Sequence, residues 1–312
     1  MVKKITFLLP IFFFCHVFIG HAEELYSKSF GDSKNKALIF LHGGPGYNCA
    51  NFEVTTGQKL ADQGFFVIVY DRRGEGRSSA MNAEFTFKQS FEDLLSIYKK
   101  YKIKKASLIG HSFGGVIATL FAEAEPKKVE SVVLVGAPVS LQETFRNIIS
   151  RCKKIYTDKN DKTNLNYISM LETMDTTTLE YSTYCFGHAM QNGFYSPKNP
   201  IEEAKSLYNM FKTDSILKVH AFQMSYEGPQ GFWKNEKYTC IDLNKSLLAM
   251  EKLNIPVFGL YGKEDGLYSA SQIEHVTEMF GSDRVFYLEN CSHSVFVDRQ
   301  KAFLEAFVHW LK

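Results

Sequence analysis

The chain has 312 residues, enough for one large α/β domain or two small ones. It is 45% hydrophobic and 22% charged, as ordinary globular proteins are. A formal charge of +2 gives no reason to expect nucleic acid or an anionic membrane as a partner.

Residues 1–22 read as a signal peptide. Lys3 and Lys4 form a basic start, and Ile5 to Ile19 is apolar apart from Thr6, Pro10 and His16. Gly20-His21-Ala22 places small residues where a cut before Glu23 needs them. The alternative is an uncleaved anchor, for which the apolar core is short. The expectation is an exported protein, periplasmic or secreted, with no stable membrane association after cleavage near Ala22. Removing the leader takes two lysines and no acid, leaving as many basic residues as the 34 acidic ones. Phe12-Phe13-Phe14-Cys15 lacks the small residues that precede a lipid-bearing Cys. Export permits disulfides. Cys49, Cys152, Cys185, Cys240 and Cys291 remain, an odd set without metal-type C-x-x-C spacing. One bridge within Cys152, Cys185 and Cys240 and a set of buried free thiols are both open.

From Ala37 strands and helices alternate. Ala37 to Leu41 reads as a buried strand, followed by the loop His42-Gly43-Gly44-Pro45-Gly46. A helix is expected over 52–63 and a strand over 65–70. The turn Asp71 to Ser78 follows, then an amphipathic helix over 87–100 with Phe91, Leu94, Leu95 and Tyr98 on one face. Next come a strand from Ala106 to Ile109, a helix, and a strand over 129–135. Strands so spaced, with helices between, imply a mainly parallel sheet. The alternation stops near residue 140. Residues 140–250 show no strand pattern, and helices are expected at 141–155, 164–174, 201–225 and 242–252. This segment reads as a helical cap inserted into the core, which comprises 23–139 and 251–312. The sheet resumes with a strand over 256–261, a helix over 269–280, a strand over 284–288 and a helix over 299–311.

The chemistry centres on Gly110-His111-Ser112-Phe113-Gly114-Gly115. A strand before it and a helix after it place Ser112 on a sharp strand-to-helix turn, with the Phe113 N–H aimed at whatever Ser112 attacks. A Ser hydroxyl is a weak nucleophile and needs a base, which needs an orienting acid. In this arrangement the chain order is Ser, acid, His. The strand ending at Tyr261 leads into Gly262-Lys263-Glu264-Asp265, and the last strand into Glu289-Asn290-Cys291-Ser292-His293. The candidate triad is therefore Ser112, Asp265 and His293. Glu264 and Asp71 are the rival acids. His111 reads as a packed neighbour of the turn, and His42 as a brace for the glycine loop. An oxyanion needs two donors. Phe113 N–H is one, and Gly44 N–H, with Gly43 second, is the other.

These residues resemble the α/β-hydrolase superfamily from about residue 25 to the C-terminus. His42-Gly43-Gly44-Pro45-Gly46 resembles the signature of the proline iminopeptidase family of serine aminopeptidases. Asp71-Arg72-Arg73-Gly74-Glu75-Gly76-Arg77-Ser78 is similar to that family's Asp-Gln-Arg-Gly-x-Gly-x-Ser turn, with Arg72 in place of Gln. The elbow departs from the family's Gly-Gly-Ser-Trp-Gly-Gly and has a form common among esterases. The resemblance implies an α/β-hydrolase fold with a helical cap and no metal or cofactor. It also implies release of an N-terminal residue, often Pro, from a short peptide, with a cap carboxylate holding the free amine. Glu227 is the first candidate for that carboxylate, before Glu180 and Glu203. Tyr181, Phe186, Phe194, Tyr195, Tyr226, Phe232 and Trp233 are expected to line a pocket or to form the cap's own core. The alternative activity is that of a carboxylesterase acting on small or medium acyl esters. The expected partner is a small molecule or short peptide.

Overall fold

The structure is a computed structural model describing residues 24–312; the expected leader lies outside the described residues. Seven strands form one sheet: β1 (Ser27–Phe30), β2 (Lys36–Leu41), β3 (Phe65–Tyr70), β4 (Ala106–His111), β5 (Val129–Val135), β6 (Val257–Gly262) and β7 (Val285–Leu288). Their order across the sheet is β1-β3-β2-β4-β5-β6-β7. β1 pairs antiparallel with β3, and every other pairing is parallel.

The parallel strands are mostly apolar because both faces are covered. Side chains alternate across the pleat. Ile39 and Leu41 of β2 enter one core with Ile68 and Tyr70 of β3, and Leu38 and Phe40 enter the other with Val67 and Val69. The first core lies under α2 (Phe87–Lys100) and α3 (Phe113–Ala124). The second lies under α1 (50–62) and the C-terminal helices.

Between β5 and β6 the chain is helical: α4 (Leu141–Asp158), α5 (Lys162–Leu171), α6 (Leu179–Gln191), α7 (Glu202–Thr213), α8 (Ser215–His220), α9 (Glu227–Glu236) and α10 (Asn244–Lys252). The two ends of this insert pair with each other. Ser140 bridges Asp242, and Leu243 N–H donates to Val139 O at 2.8 Å. α10 then packs on α3. The chain closes with α11 (Ala270–Phe280), α12 (Val295–Asp298) and α13 (Gln300–Leu311). All five cysteines among the described residues are free, and only Cys240 is exposed. No helix of the described residues is long and apolar enough to cross a membrane.

Candidate active site

Three strand ends at one edge of the sheet carry the candidate residues. Ser112 links β4 to α3 with φ +53° and ψ −123°, a conformation side chains rarely adopt. Close packing explains the glycines around it. A Cβ at Gly114 would lie 2.0 Å from Leu41 O, and one at Gly110 would lie 2.4 Å from the Gly115 Cα. Ser112 N–H donates to Val135 O at 3.0 Å, which ties the turn to β5, while its hydroxyl caps no helix.

Asp265 follows β6 and His293 follows β7, and both are buried. His293 Nδ1 and Asp265 Oδ2 are 2.8 Å apart. The other Asp265 oxygen accepts from Leu267 N–H at 3.0 Å, so the carboxylate is held at both oxygens. Gly136, at φ +50°, leaves room for this pair: a Cβ there would meet His293 O at 2.8 Å and Nδ1 at 3.3 Å. With Nδ1 donating to Asp265, Nε2 is the free acceptor. Neither Ser112 Oγ nor His293 Nε2 has a hydrogen-bond partner among the described residues, and such bonds tighten when substrate binds.

His111 lies beside this pair. Its Nε2 donates to the His293 carbonyl at 3.1 Å, and the two rings are 4.9 Å apart. Burial above all holds His111 down at about 3, so it is neutral. His42 is also held well below its usual range, chiefly by burial and then by Arg72. Its Nε2 accepts from Arg72 N–H at 3.1 Å, so Nδ1 carries the proton and donates to Gly43 O at 2.9 Å. Arg72 donates to His42 O at 2.5 Å and to Gly43 O at 2.6 Å. Glu75 Oε1 accepts from Gly46 N–H at 2.7 Å, and burial raises its carboxyl above the usual range against the pull of Arg72.

The rival acids lie elsewhere. Asp71 accepts from the Cys49 and Arg77 N–H groups at 2.8 Å and pairs with the Arg77 guanidinium at 2.7 Å, an inter-loop tie. Glu264 turns outward and accepts from Lys198 N–H at 2.6 Å.

A small cavity of about 20 Å³ opens over Ser112. Gly44, Ser112 and Phe113 line one side, and Pro138, Leu141, Thr144, Phe186, Tyr238, Leu267 and Tyr268 line the rest. None of these carries a charge. Glu227 is exposed at the first residue of α9 and does not line this cavity. Glu180 is exposed, and Glu203 accepts from Lys301 N–H at 3.3 Å.

The insert's aromatics divide by role. Phe186 lines the cavity, and Tyr195 meets His293 edge-on at 5.1 Å. Phe232 packs on Phe113 at 5.0 Å, and Tyr181 on Phe145 at 5.6 Å. Phe194 is buried beside Arg151, Trp233 donates to Thr177 O at 2.8 Å, and Tyr226 is 78% exposed. Sequence reasoning left Tyr238 and Tyr268 unplaced; Tyr268 donates to Gly136 O at 2.8 Å and so joins the wall to the turn after β5 that packs on His293. No group of three or more His, Cys, Asp or Glu side chains among the described residues is placed to hold a metal ion.

Known proteins share this architecture. A proline iminopeptidase of Lacticaseibacillus rhamnosus is 22% identical over 308 residues, covering 93% of this chain and 95% of that protein. A proline iminopeptidase of Clostridioides difficile is 36% identical over 102 residues, covering 32% of this chain and 34% of that one. Among solved structures, a proline iminopeptidase-related protein from Thermus thermophilus superposes with a TM-score of 0.62 at 22% identity, covering 91% of each chain. An esterase from Exiguobacterium antarcticum superposes at 0.60 and 20% identity, covering 92% of this chain and 94% of that one. The family profile described as the alpha/beta hydrolase fold matches residues 36–300, and the chain belongs to that family.

Proposed function

We propose that the chain is a serine hydrolase working through an acyl-enzyme on Ser112. The observation that carries this reading is the 2.8 Å pair of His293 and Asp265 beside the strained Ser112 turn. In this mechanism Ser112 Oγ attacks the substrate carbonyl while His293 Nε2 takes its proton. Asp265 holds the ring tautomer and stabilises the imidazolium. Phe113 and Gly44 N–H stabilise the oxyanion. His293 then protonates the leaving group, and water releases the acyl group by the same steps in reverse.

The uncharged wall of the cavity supports a short apolar acyl group delivered as an ester, as in a carboxylesterase. A second reading is an aminopeptidase of the proline iminopeptidase kind. It draws on His42-Gly43-Gly44-Pro45-Gly46 and on the near full-length likeness to the Lacticaseibacillus enzyme. There Glu227 is the proposed partner of the substrate ammonium. Residues 1–22 make export of the enzyme part of the proposal, with cleavage near Ala22.

Hydrolysis of p-nitrophenyl butyrate and of Pro-β-naphthylamide by residues 23–312, with Ser112→Ala as blank, tests both readings. Ester cleavage lost in Ser112→Ala supports the first. Amide cleavage that requires a free N-terminal amine and weakens in Glu227→Gln moves the enzyme to the second. Full activity in Ser112→Ala overturns both.

A further inference from the structure

One ion pair grips the loop that supplies the Gly44 N–H. The Arg72 side chain is buried, and both of its terminal nitrogens donate to loop carbonyls, at 2.5 Å to His42 O and 2.6 Å to Gly43 O. Glu75 Oε2 lies 2.7 Å from Arg72 Nη2, a buried ion pair. The other Glu75 oxygen accepts from Gly46 N–H at 2.7 Å. The loop is thus held on both sides of Gly44. Gly43 O also accepts from His42 Nδ1 at 2.9 Å, so both of its lone pairs are engaged.

The consequence for Gly44 follows from peptide geometry. Gly43 C=O and Gly44 N–H belong to one planar trans unit and point in opposite directions. With the carbonyl turned to Arg72, the N–H faces away, on the side where Gly44, Ser112 and Phe113 line the cavity. That N–H has no hydrogen-bond acceptor among the described residues. A charged donor on the carbonyl also polarises the peptide and strengthens its N–H as a donor.

We propose that Arg72, anchored by Glu75, is a positioning residue that holds the Gly43–Gly44 peptide with its N–H toward the reacting oxygen. This rests on the acyl-enzyme reading above, in which Gly44 is an oxyanion donor. Gln, the residue the related turn carries here, lacks the charge and the rigid five-donor fork of Arg.

The test compares Arg72→Met, Arg72→Gln and Glu75→Gln with the native enzyme. Three quantities are read: p-nitrophenyl butyrate kinetics per active site titrated with a fluorophosphonate, inhibition by butylboronic acid, and Tm. A boronate on Ser112 forms a tetrahedral adduct with an oxygen in the oxyanion position. Arg72→Met is expected to lower kcat per titrated site by about 100- to 1,000-fold with KM nearly unchanged, the loss typical of an oxyanion donor. The boronate Ki should weaken in parallel, and Arg72→Gln should recover part of both. Should Arg72→Met fail to fold, Glu75→Gln keeps the guanidinium and is expected to lose roughly tenfold in both quantities. A merely structural role would lower Tm and the titratable fraction while leaving kcat per site and boronate affinity at native values. That result in the folded variants overturns the proposal. Full activity in Ser112→Ala would instead overturn the acyl-enzyme reading itself.

Discussion

Two imidazoles flank the candidate site without taking part in the proposed chemistry, and their protonation has a measurable cost. His111 is buried and held at about 3, against an unfolded value near 6.5. A depressed His pKa means that the unfolded chain binds the extra proton between those two values. Stability from this group is therefore complete at neutral pH and falls as pH drops below about 6.5. Between pH 7 and pH 5 His111 alone is expected to cost about 2 kcal/mol. His111→Gln, which keeps a donor for the His293 carbonyl, should flatten that part of the stability curve. Urea unfolding at the two pH values measures it, and an unchanged pH slope would count against a neutral buried His111. Asp265→Asn should leave the fold intact and lower kcat by about 10⁴, because the imidazole loses its tautomer and its counter-charge. Glu264→Gln should retain native kcat, since that carboxylate faces Lys198 N–H. At this scale the placement of Ser112, Asp265 and His293 at one sheet edge was legible, because each follows an apolar strand run and strand ends share one edge. The grip of Arg72 and Glu75 on the glycine loop was not. It depends on side chains reaching a segment some thirty residues away, and spacing along the chain carries no trace of that reach.

Among the elements, the parallel strands were legible because their burial on both faces leaves apolar runs that polar turns interrupt. The edge strand β1 was missed: Ser27–Phe30 is short and mostly solvated, so it shows neither a run nor a clean alternation. In the insert, the single helix expected over 201–225 is two. Asp214 stops the first and caps the second by accepting from Ile216 and Leu217 N–H, both at 2.9 Å. α6 and α9 went unseen because Gly187 interrupts one, and Gly228, Pro229 and Gly231 crowd the start of the other. α7 also joins the insert to the His293 loop. Tyr208 donates to Asp298 at 2.5 Å, and Asp298 accepts from Ser292 N–H at 2.8 Å, one residue before His293. Burial raises the Asp298 carboxyl to about 6, with the Tyr208 bond opposing the rise. A raised carboxyl pKa means that the folded chain binds the extra proton, so stability falls as pH climbs from about 4 to about 6. Tyr208→Phe removes the opposing bond and pushes that pKa higher. It should cost about 1–3 kcal/mol at pH 8 and clearly less at pH 4.5, where Asp298 is protonated. Equal losses at the two pH values in denaturant unfolding would break the link between α7 and the Asp298 charge.

For the whole molecule, the cavity over Ser112, the proposed substrate chamber, lies where the sheet edge and the insert meet. The core supplies Gly44, Ser112 and Phe113, and the insert supplies Leu141, Thr144, Phe186 and Tyr238. The two parts are fastened at the neck by the Val139–Leu243 bond and the Ser140–Asp242 bridge, and Leu141 and Thr144 of α4 line the cavity over the Ser112 turn. Sequence patterns could announce that an insert was present, but not which of its aromatics would face inward. Tyr226 and Phe232 lie on neighbouring elements of one short stretch, yet one is 78% exposed and the other 2%. Among the residues that do face the chamber, Phe186 has the most removable bulk. It is half-buried and its ring leans on Phe145 at 5.3 Å, so it closes one wall without anchoring the core. Phe186→Ala should therefore lengthen the chamber rather than collapse it. Each methylene newly buried contributes about 0.8 kcal/mol, so two or three should raise kcat/KM for p-nitrophenyl octanoate relative to acetate by between roughly tenfold and fiftyfold. The acetate rate is the reference against which the octanoate rate is read. A ratio that stays at the native value, in a variant that titrates fully with a fluorophosphonate, would mean that the acyl chain leaves Ser112 by another route and that the insert does not set chain length.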